Sequence, residues 1–344
     1  MRHITLLSCV CFFLSLSSFS WAERFAAHEN EVSVDLCAGY LVVVRGSLGR
    51  LEKRNFIIDT GTNPSVLDER IARQLGLSGS KERLRLVNRE IDATTVFIPS
   101  IRLGPISRES LPMLVQDLSF LQRKLSLRID ALVGLDLLGD RSFQIDYASR
   151  QMIFGSAHPA SGSVSFKSDP PLVTVEMMIE NQPYRLLVDT GASGLILFDK
   201  RVSEKLLRQL VAAEARSWNM SGQFSMQSIQ ISHSRLGNAG LGTLRAYLTP
   251  DQSHGFEFDG LIGISILHAR QISFDFEHRL FTWQARNSRI PLMTEAEHAP
   301  RPSCQPLGAM SRRLVGGARR TLRFRHERKI LEFRACQVNR RPSK

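Results

Sequence analysis

The sequence carries the same three-residue motif, Asp-Thr-Gly, at positions 59–61 and 189–191. Three apolar residues precede each copy, so each aspartate comes directly after a short apolar strand. A carboxylate in that place is costly to bury unless it is hydrogen-bonded or protonated. The threonine hydroxyl can bond to nearby backbone, and glycine allows a tight turn and the close approach of other chain segments. The motif is therefore suited to hold a carboxylate in a cleft.

Two such carboxylates can carry out chemistry that one cannot. When two carboxyl groups lie about 3 Å apart they cannot both ionise easily, so they share one proton and titrate as a pair. The ionised member can then take a proton from water while the protonated member polarises a peptide carbonyl. This is acid–base hydrolysis of an amide without metal, organic cofactor or covalent intermediate. A single Asp-Thr-Gly, by contrast, is a common turn in which the aspartate caps the following loop.

The motif belongs to a larger internal repeat. Residues 130–134 and 259–263 both read Asp, a small residue, two apolar residues and Gly, and they end 75 and 74 residues after the two aspartates. From there the register continues without a gap, and residues 144–147 fall opposite 273–276. Matched landmarks at matched spacing indicate a duplicated domain. A pseudo-two-fold axis between the copies would bring Asp59 and Asp189 together.

The elements that must position these residues are mainly β-strands, because short apolar runs bounded by Gly, Pro or Asn recur along the chain. The predicted strands include Leu41–Val44, Phe56–Ile58, Ser100–Leu103, Leu111–Val115, Leu172–Val175, Ser228–Ile231 and Leu244–Leu248. Helical patterns are few, and they cover Asp68–Leu75, Asp199–Ala213 and short segments after Gly134 and Gly263. The resulting division is a first lobe at 23–155, a linker at 156–168, a second lobe at 169–286 and a tail at 287–344.

The combined motifs resemble the retropepsin-like aspartic proteases, and more closely the bacterial aspartyl-protease-like group. The resemblance appears twice and covers roughly residues 36–285. It implies two pseudo-symmetric retropepsin- or pepsin-like β-barrel lobes with short helices, an active-site cleft between them, and an endopeptidase that acts on polypeptides without metal or cofactor. Carried over residue by residue, it implies a catalytic pair, Asp59 and Asp189, and supporting loop residues Thr60, Gly61, Thr190, Gly191, Ser193, Leu132, Val133, Gly134, Leu261, Ile262 and Gly263.

Within that resemblance, the threonines would lock the two loops together through their hydroxyl groups. The first copy departs from the family pattern, since Thr62 and Asn63 stand where a small residue and Ser or Asp are usual. Family enzymes close a β-hairpin flap over the substrate, and its position here would be about Glu82–Phe97 in the first lobe and Arg216–Ser228 in the second. Neither stretch has the Tyr of pepsin-like flaps, and Trp218 could cover the site instead.

Other interpretations accompany this one. Asp130 and Asp259 are predicted to be turn or loop-capping residues and not catalytic groups. The whole cleft could belong to an inactive module that binds a peptide or a cell-envelope ligand, for which the departures at Thr62 and Asn63 are the main support. The two halves could also pair between chains, but one chain with both halves has no need of a second copy, so we expect a monomer.

The N-terminus has the order of a secretory signal. Arg2 and His3 precede an apolar run from Ile4 to Phe19, and Ser20 and Ala22 are the small residues at the −3 and −1 positions of a cleavage site after Ala22. Residues 1–22 are therefore predicted to be a signal peptide, and the protein is expected to be exported to the periplasm or secreted. The alternative is a retained N-terminal membrane anchor.

Cleavage there would leave three of the five cysteines: Cys37, Cys304 and Cys336. An oxidising compartment would permit one disulfide among them and leave one thiol over, and the spacing does not decide the pairing. Cys37 alone is most simply interpreted as a buried apolar residue.

The net charge of +12 would normally suggest nucleic acid as a partner. Residues His298–Lys344, however, hold 13 Lys and Arg against 2 Asp and Glu, so +11 of that charge lies in the tail and the body is nearly neutral. No nucleic-acid-binding module is recognisable in it. The positive charge of the tail would allow weak contact with an anionic membrane surface or a polyanion. The alternative is a solvated extension without a specific role.

Overall fold

The structure is a computed structural model that describes residues 30–86, 90–139, 141–155, 160–169, 172–208, 210–219, 222–250, 257–286, 304–305 and 336–337. The predicted signal peptide at 1–22 and most of the tail lie outside these residues. The described chain is mainly β and contains two similar lobes, which confirms the predicted fold class at that level.

The first lobe contains ten described strands and three described helices. They are β1 Glu31–Cys37, β2 Leu41–Leu48, β3 Leu51–Ile58, β4 Val66–Asp68, β5 Ser80–Leu86, β6 Glu90–Leu103, β7 Ile106–Gln116, β8 Ala131–Val133, β9 Phe143–Asp146 and β10 Gln151–Phe154. Its helices are α1 Glu69–Leu75, α2 Ser119–Leu125 and α3 Leu135–Leu138.

The second lobe has an equivalent set of strands followed by two short tail strands. They are β11 Gly162–Asp169, β12 Leu172–Ile179, β13 Gln182–Asp189, β14 Leu195–Phe198, β15 Leu210–Asn219, β16 Gly222–Ile231, β17 Ser234–Leu236, β18 Ala239–Gly240, β19 Leu244–Thr249, β20 Gly260–Gly263, β21 Ala269–Asp275, β22 Leu280–Ala285, β23 Cys304–Gln305 and β24 Cys336–Gln337. Its helices are α4 Glu204–Leu207 and the 3-10 helices Asp199–Arg201 and Ile264–Leu267.

The strand pairing of the first lobe recurs in the second. In the first lobe β3 runs parallel to β8, β8 antiparallel to β4, β4 parallel to β7, and β7 antiparallel to β6. In the second lobe β13, β20, β14, β19 and β16 pair in the same order and directions. The strand that ends at each Asp-Thr-Gly is thus central and has a neighbour on both sides. Strands that are covered on both faces read as continuous apolar runs, which explains why three apolar residues precede each aspartate.

A six-stranded antiparallel sheet joins the two lobes. Its strands follow the order β1, β10, β9, β21, β22, β11, and the central pair places Ile145 opposite Ile272 and Phe143 opposite Phe274. The rings of Phe143 and Phe274 stack with centroids 4.9 Å apart, a geometry that adds about 0.5–1.5 kcal/mol to the effect of burial. The two lobes of this single chain are therefore joined by one continuous sheet, and the central pair of strands comes from equivalent positions of the two lobes.

The predicted helix at Asp68–Leu75 is confirmed, because α1 follows an N-cap at Asp68, whose carboxylate accepts a hydrogen bond from the Arg70 N–H, and ends at the left-handed Gly76. The predicted helix at Asp199–Ala213 is wrong beyond residue 207. From Leu210 the chain forms β15, which pairs with β16 down to Asn219. That cross-strand pairing outweighs the helical propensity of the Ala- and Glu-rich segment.

Two parts of the predicted domain division are structured in ways that composition did not indicate. Within the predicted linker at 156–168, β11 begins at Gly162 and pairs with β22 and β12, so that part belongs to the sheets of the second lobe. Within the tail, β23 pairs with β1 and β24 pairs with β5, both in the first lobe.

Cys37 is buried and disulfide-bonded, and Cys304 lies opposite it in the pairing of β1 with β23. None of the described helices is long and apolar enough to cross a membrane.

One buried side chain of the inter-lobe region is poorly satisfied. The Tyr147 hydroxyl has no hydrogen-bond partner within the described part of the chain, and burial raises its pKa well above the ordinary value. The repeat places Phe276 at the equivalent position of the second lobe. A buried hydroxyl group without a partner lowers the stability of the folded state, so phenylalanine should be the more stable residue at this position.

We therefore expect Tyr147→Phe to leave the free energy of unfolding unchanged or to raise it by about 1 kcal/mol. The measurement is urea unfolding followed by tryptophan fluorescence. The matched control is Tyr184→Phe, because Tyr184 Oη accepts a hydrogen bond from the Ser203 N–H at 3.4 Å, and its loss should lower stability by about 1 kcal/mol. A larger loss for Tyr147→Phe than for Tyr184→Phe would contradict this interpretation.

Candidate active site

Asp59 and Asp189 lie side by side where the two lobes meet. Both side chains are fully buried, and the Asp189 carboxyl lies against Gly61 in the Asp59 loop. Each follows a central strand, and the Asp59 N–H is held by the Val133 carbonyl at 2.9 Å. One chain thus brings both carboxyl groups together without a second copy.

Glycine at position 61 is required by this contact. A Cβ atom built at Gly61 would lie 2.5 Å from Cγ of Asp189 and 2.6 Å from its Oδ2. Real Cβ atoms do not approach other atoms so closely, so any side chain at position 61 would push the Asp189 carboxyl away from Asp59. The glycine of the first loop therefore makes room for the aspartate of the second.

The threonines of the two motifs cross-link the loops. The Thr60 N–H donates to Thr190 Oγ1 at 3.0 Å, and the Thr190 N–H donates to Thr60 Oγ1 at 3.1 Å. Each hydroxyl in turn donates to a carbonyl of the other lobe, Thr60 to Val188 and Thr190 to Ile58, both at 2.8 Å. These four buried hydrogen bonds fix the spacing between the strands that end at the two aspartates.

The second repeated motif lies directly behind the aspartate loops. Gly134 follows β8, and Gly263 is the last residue of β20. A Cβ atom at Gly134 would lie 2.0 Å from the Thr62 carbonyl oxygen. At Gly263 it would lie 2.5 Å from the Ala192 carbonyl oxygen. Only glycine allows the backbone of each aspartate loop to pass so close. The apolar residues before the glycines, Leu132, Val133, Leu261 and Ile262, are buried beneath the loops.

The first aspartate loop has a side-chain donor at a position where the second loop has an alanine. Asp59 accepts the Gly61 N–H at 3.1 Å and the Thr62 hydroxyl at 2.9 Å. Asp189 accepts the Gly191 N–H at 2.7 Å, but Ala192, which stands where Thr62 stands in the first loop, has no hydroxyl to donate. The departure from the family pattern at Thr62 therefore supplies Asp59 with an additional donor. Ser193 lies half-buried in the second loop.

Burial governs the titration of the first carboxyl group. Desolvation raises the pKa of Asp59 from an ordinary value of 3.8 to about 6, against the opposing effect of hydrogen bonds from Thr62, Gly61 and Asp189. The Asp59 carboxyl thus changes its charge within one or two pH units of neutrality. A group that titrates there can act as a base or an acid in physiological conditions.

Asp130 and Asp259 have the structural role predicted for them. The Asp130 carboxylate accepts the Asn55 N–H at 2.9 Å and is paired with Arg70. The Asp259 carboxylate accepts the Arg185 N–H at 2.8 Å. Both therefore bind the backbone of the strand that runs toward an aspartate loop, Asn55 of β3 and Arg185 of β13.

Three residues near the site were missed by the sequence analysis. Thr62 was noted only as a departure, while Ser65 and Asp136 were not singled out. The Ser65 hydroxyl donates to Asp136 Oδ1 at 2.6 Å, and the Gly134 N–H donates to Ser65 Oγ at 2.9 Å. The available signal was the gapless register of the repeat, which sets the charged Asp136 opposite the neutral Ser265 amid apolar neighbours.

The predicted flap segments fall on β-hairpins. β5 and β6 form the first and β15 and β16 the second, and Trp218 is paired with Gln223 next to the turn of the second. Their function as flaps stays a prediction. Among the described residues, no group of three or more His, Cys, Asp and Glu side chains is arranged to hold a metal ion.

Comparison with known proteins agrees with this geometry. The aspartyl protease family model matches the chain twice, over residues 44–137 and 175–266. Each match runs from just before an aspartate loop to just beyond the glycine motif behind it, so each covers one complete half-site. Among curated proteins no individual sequence matches the chain. The two matched segments make up more than half of the sequence, and the chain therefore belongs to the aspartyl protease family.

Proposed function

We propose that this protein is an exported aspartic endopeptidase in which Asp59 and Asp189 activate water to hydrolyse a peptide bond. The observation that carries the proposal is that two fully buried carboxyl groups lie side by side on loops cross-linked by Thr60 and Thr190. Two carboxylates in contact and out of water repel each other strongly, so the pair retains one proton between them at neutral pH. A pair with one proton contains a base and an acid at the same point.

The donors around the pair assign the two roles. Asp59 receives hydrogen bonds from Gly61 and from the Thr62 hydroxyl, and donors to a carboxylate favour its charged form. The matching position in the second loop is Ala192, which offers no such donor. Asp59 is therefore the ionised member that takes a proton from water, and Asp189 holds the shared proton and donates it toward the carbonyl oxygen of the scissile bond.

Hydrolysis then needs no other group. As water attacks the carbonyl carbon, its proton passes to Asp59 and the carbonyl oxygen is protonated from Asp189. The tetrahedral intermediate collapses when the leaving nitrogen receives a proton from Asp59, the carbon–nitrogen bond breaks, and one hydroxyl of the intermediate returns its proton to Asp189. The rigid threonine cross-link keeps both carboxyl groups at the same distance through these steps, which is the positional requirement of such a reaction.

The proposed export also has support beyond the N-terminal pattern. Cys37 is disulfide-bonded, and disulfides persist in the periplasm and outside the cell, while they are rare in the cytosol. A retained anchor would leave the same lobes in the same compartment. We propose a polypeptide as substrate and a monomer as the active form, because both half-sites come from one chain.

The first test replaces each aspartate by asparagine. We expect Asp59→Asn and Asp189→Asn each to lower kcat/KM on a mixed peptide library by at least about 1,000-fold, because each removes one partner of the acid–base pair. Cleavage is followed by mass spectrometry, with and without a pepstatin-type transition-state mimic. The far-ultraviolet circular dichroism spectrum should be unchanged.

The control for this test is Asp117→Asn, which neutralises an exposed carboxylate at the start of α2 and should keep full activity. Unchanged cleavage in either catalytic variant would exclude the aspartate pair as the active site. Peptide binding by the wild-type protein without any turnover would instead favour the inactive binding module.

The pH dependence of the rate is a second test. Because the pKa of Asp59 is raised to about 6 and the base must be ionised, kcat/KM should fall as the pH is lowered through about 6. The limiting slope is one tenfold loss per pH unit, which corresponds to the uptake of one proton. An enzyme that is fully active near pH 4 would contradict the assignment of Asp59 as the base with this pKa.

The same titration predicts a stability effect. A carboxyl group whose pKa is higher in the folded than in the unfolded state favours folding when it is protonated, and this contribution is lost as the pH rises through the folded pKa. Asp59→Asn should therefore be more stable than the wild-type protein above about pH 6, with a difference that shrinks as the pH falls toward 4. Thermal unfolding of both proteins across pH measures this, and a variant that is less stable than wild type at pH 8 would contradict it.

A further inference from the structure

One carboxyl group near the catalytic loops takes no part in the proposed chemistry. Asp136 lies in α3, two residues after Gly134, and is partly buried. Its carboxylate accepts the Ser65 N–H at 2.8 Å, the Ser65 hydroxyl at 2.6 Å and the Leu137 N–H at 3.1 Å. A carboxylate with several donors is specifically organised, because each donor must be aimed at it by the surrounding backbone.

These contacts form a continuous path to the catalytic aspartate. Ser65 receives the Gly134 N–H on its hydroxyl oxygen while it donates its proton to Asp136. The Cα atom of Gly134 is packed against the Thr62 carbonyl, and the Thr62 hydroxyl donates to Asp59. Asp136 is thus connected to Asp59 through Ser65, Gly134 and Thr62, and it does not touch the reacting groups.

In the second lobe the N–H group of the equivalent glycine has a different acceptor. There the Gly263 N–H donates to the Gly194 carbonyl at 2.8 Å, so a main-chain acceptor replaces the Ser65 hydroxyl. The residue equivalent to Asp136 is Ser265, which carries no charge. The two loops are therefore held by different means, and the side-chain brace belongs only to the lobe whose loop departs from the family pattern.

We propose that Asp136 and Ser65 are positioning residues that hold the Thr62 hydroxyl on Asp59 and thereby keep Asp59 the base of the pair. The proposal rests on the proposed function, because it concerns the protonation of the same site. The Asp136 carboxyl orients the Ser65 hydroxyl, the hydroxyl oxygen holds the Gly134 N–H, and that glycine supports the Thr62 backbone. When the brace is lost, Thr62 withdraws its donor from Asp59.

The predicted consequence is a change in titration and not only in stability. A carboxylate that loses a donor is harder to ionise, so the acid limb of kcat/KM should move to higher pH in the altered protein. We expect Ser65→Ala and Asp136→Asn each to shift this limb upward by about half a pH unit or more and to lower kcat at neutral pH by about tenfold, with KM within about twofold. The double variant should resemble the single ones, because both residues act in one path.

Three controls separate positioning from general damage. Ser265→Ala alters the equivalent residue of the second lobe and should leave the limb and kcat unchanged. Ile272→Val removes one methylene from the inter-lobe sheet, costs about 0.5–1.5 kcal/mol of stability, and should also leave the limb in place. Asp136→Glu keeps the carboxylate and should restore part of the shift.

The experiment has a readout that does not need turnover. Carbon-13 NMR of labelled aspartate carboxyl groups, with the Asp59 signal assigned from Asp59→Asn, follows the Asp59 pKa directly in each variant. An Asp59 pKa that stays within about 0.2 pH unit of wild type in both Ser65→Ala and Asp136→Asn overturns the inference, whereas an inactive Asp59→Asn variant leaves the proposed function standing. If peptide cleavage survives in Asp59→Asn, the proposed function fails, and the NMR titration still decides whether Asp136 and Ser65 control Asp59.

Discussion

Two buried carboxyl groups in contact are the constraint on which the rest of the molecule depends. Their desolvation opposes folding, and it is offset by the hydrogen-bond donors and tight backbone turns that surround them. The reciprocal hydrogen bonds of Thr60 and Thr190 hold the two loops at one separation. Gly61 removes the side chain that would otherwise occupy the space of Asp189. The features of the Asp-Thr-Gly motif are thus the minimum needed to keep this contact.

The duplication of the lobe provides the geometry of that contact. β3 and β13 are both central strands, each paired in parallel with the strand of the glycine motif, so the two aspartates leave their sheets at equivalent points. The six-stranded sheet between the lobes, with Phe143 stacked on Phe274, sets how the copies face each other. Packed interiors resist deformation, so the position of the carboxyl groups is transmitted from a core that lies outside the site.

In the proposed mechanism, however, the choice of which aspartate acts as the base depends on how the two halves differ. A strictly symmetric pair would have no preferred base, since the two carboxyl groups would have identical surroundings. Thr62 opposite Ala192, and the Ser65–Asp136 brace opposite the Gly194 carbonyl, break this symmetry in the same lobe. Both differences add donors or order around Asp59. In the proposed mechanism, the divergence of the first loop from the family pattern favours Asp59 as the ionised member of the pair.

Much of the fold and the centre of the site were predictable from the sequence, because repeated motifs at matched spacing require a duplicated structure. The apolar triplets before Asp59 and Asp189 indicated short apolar strands, and the repeated motifs ending at Gly134 and Gly263 were expected to support the aspartate loops. The helix predicted at Asp199–Ala213 failed from Leu210 onward, since pairing with β16 is a long-range interaction that local propensity does not contain. The structured part of the predicted linker was missed for the same reason, as β11 is defined by its partners β12 and β22.

The amino-acid sequence by itself determined that the chain has two copies of one lobe and which two aspartates correspond, because residue type and spacing are local information. Only the tertiary structure decided that Asp189 lies on Gly61, that Thr62 donates to Asp59, and that Asp136 reaches the site through Ser65. Some of these contacts join residues that are far apart in the chain. The others involve residues that the sequence alone would assign to ordinary turns. The pKa of a carboxyl group depends on its burial and on the lengths of its hydrogen bonds. Both are determined only when the lobes pack together.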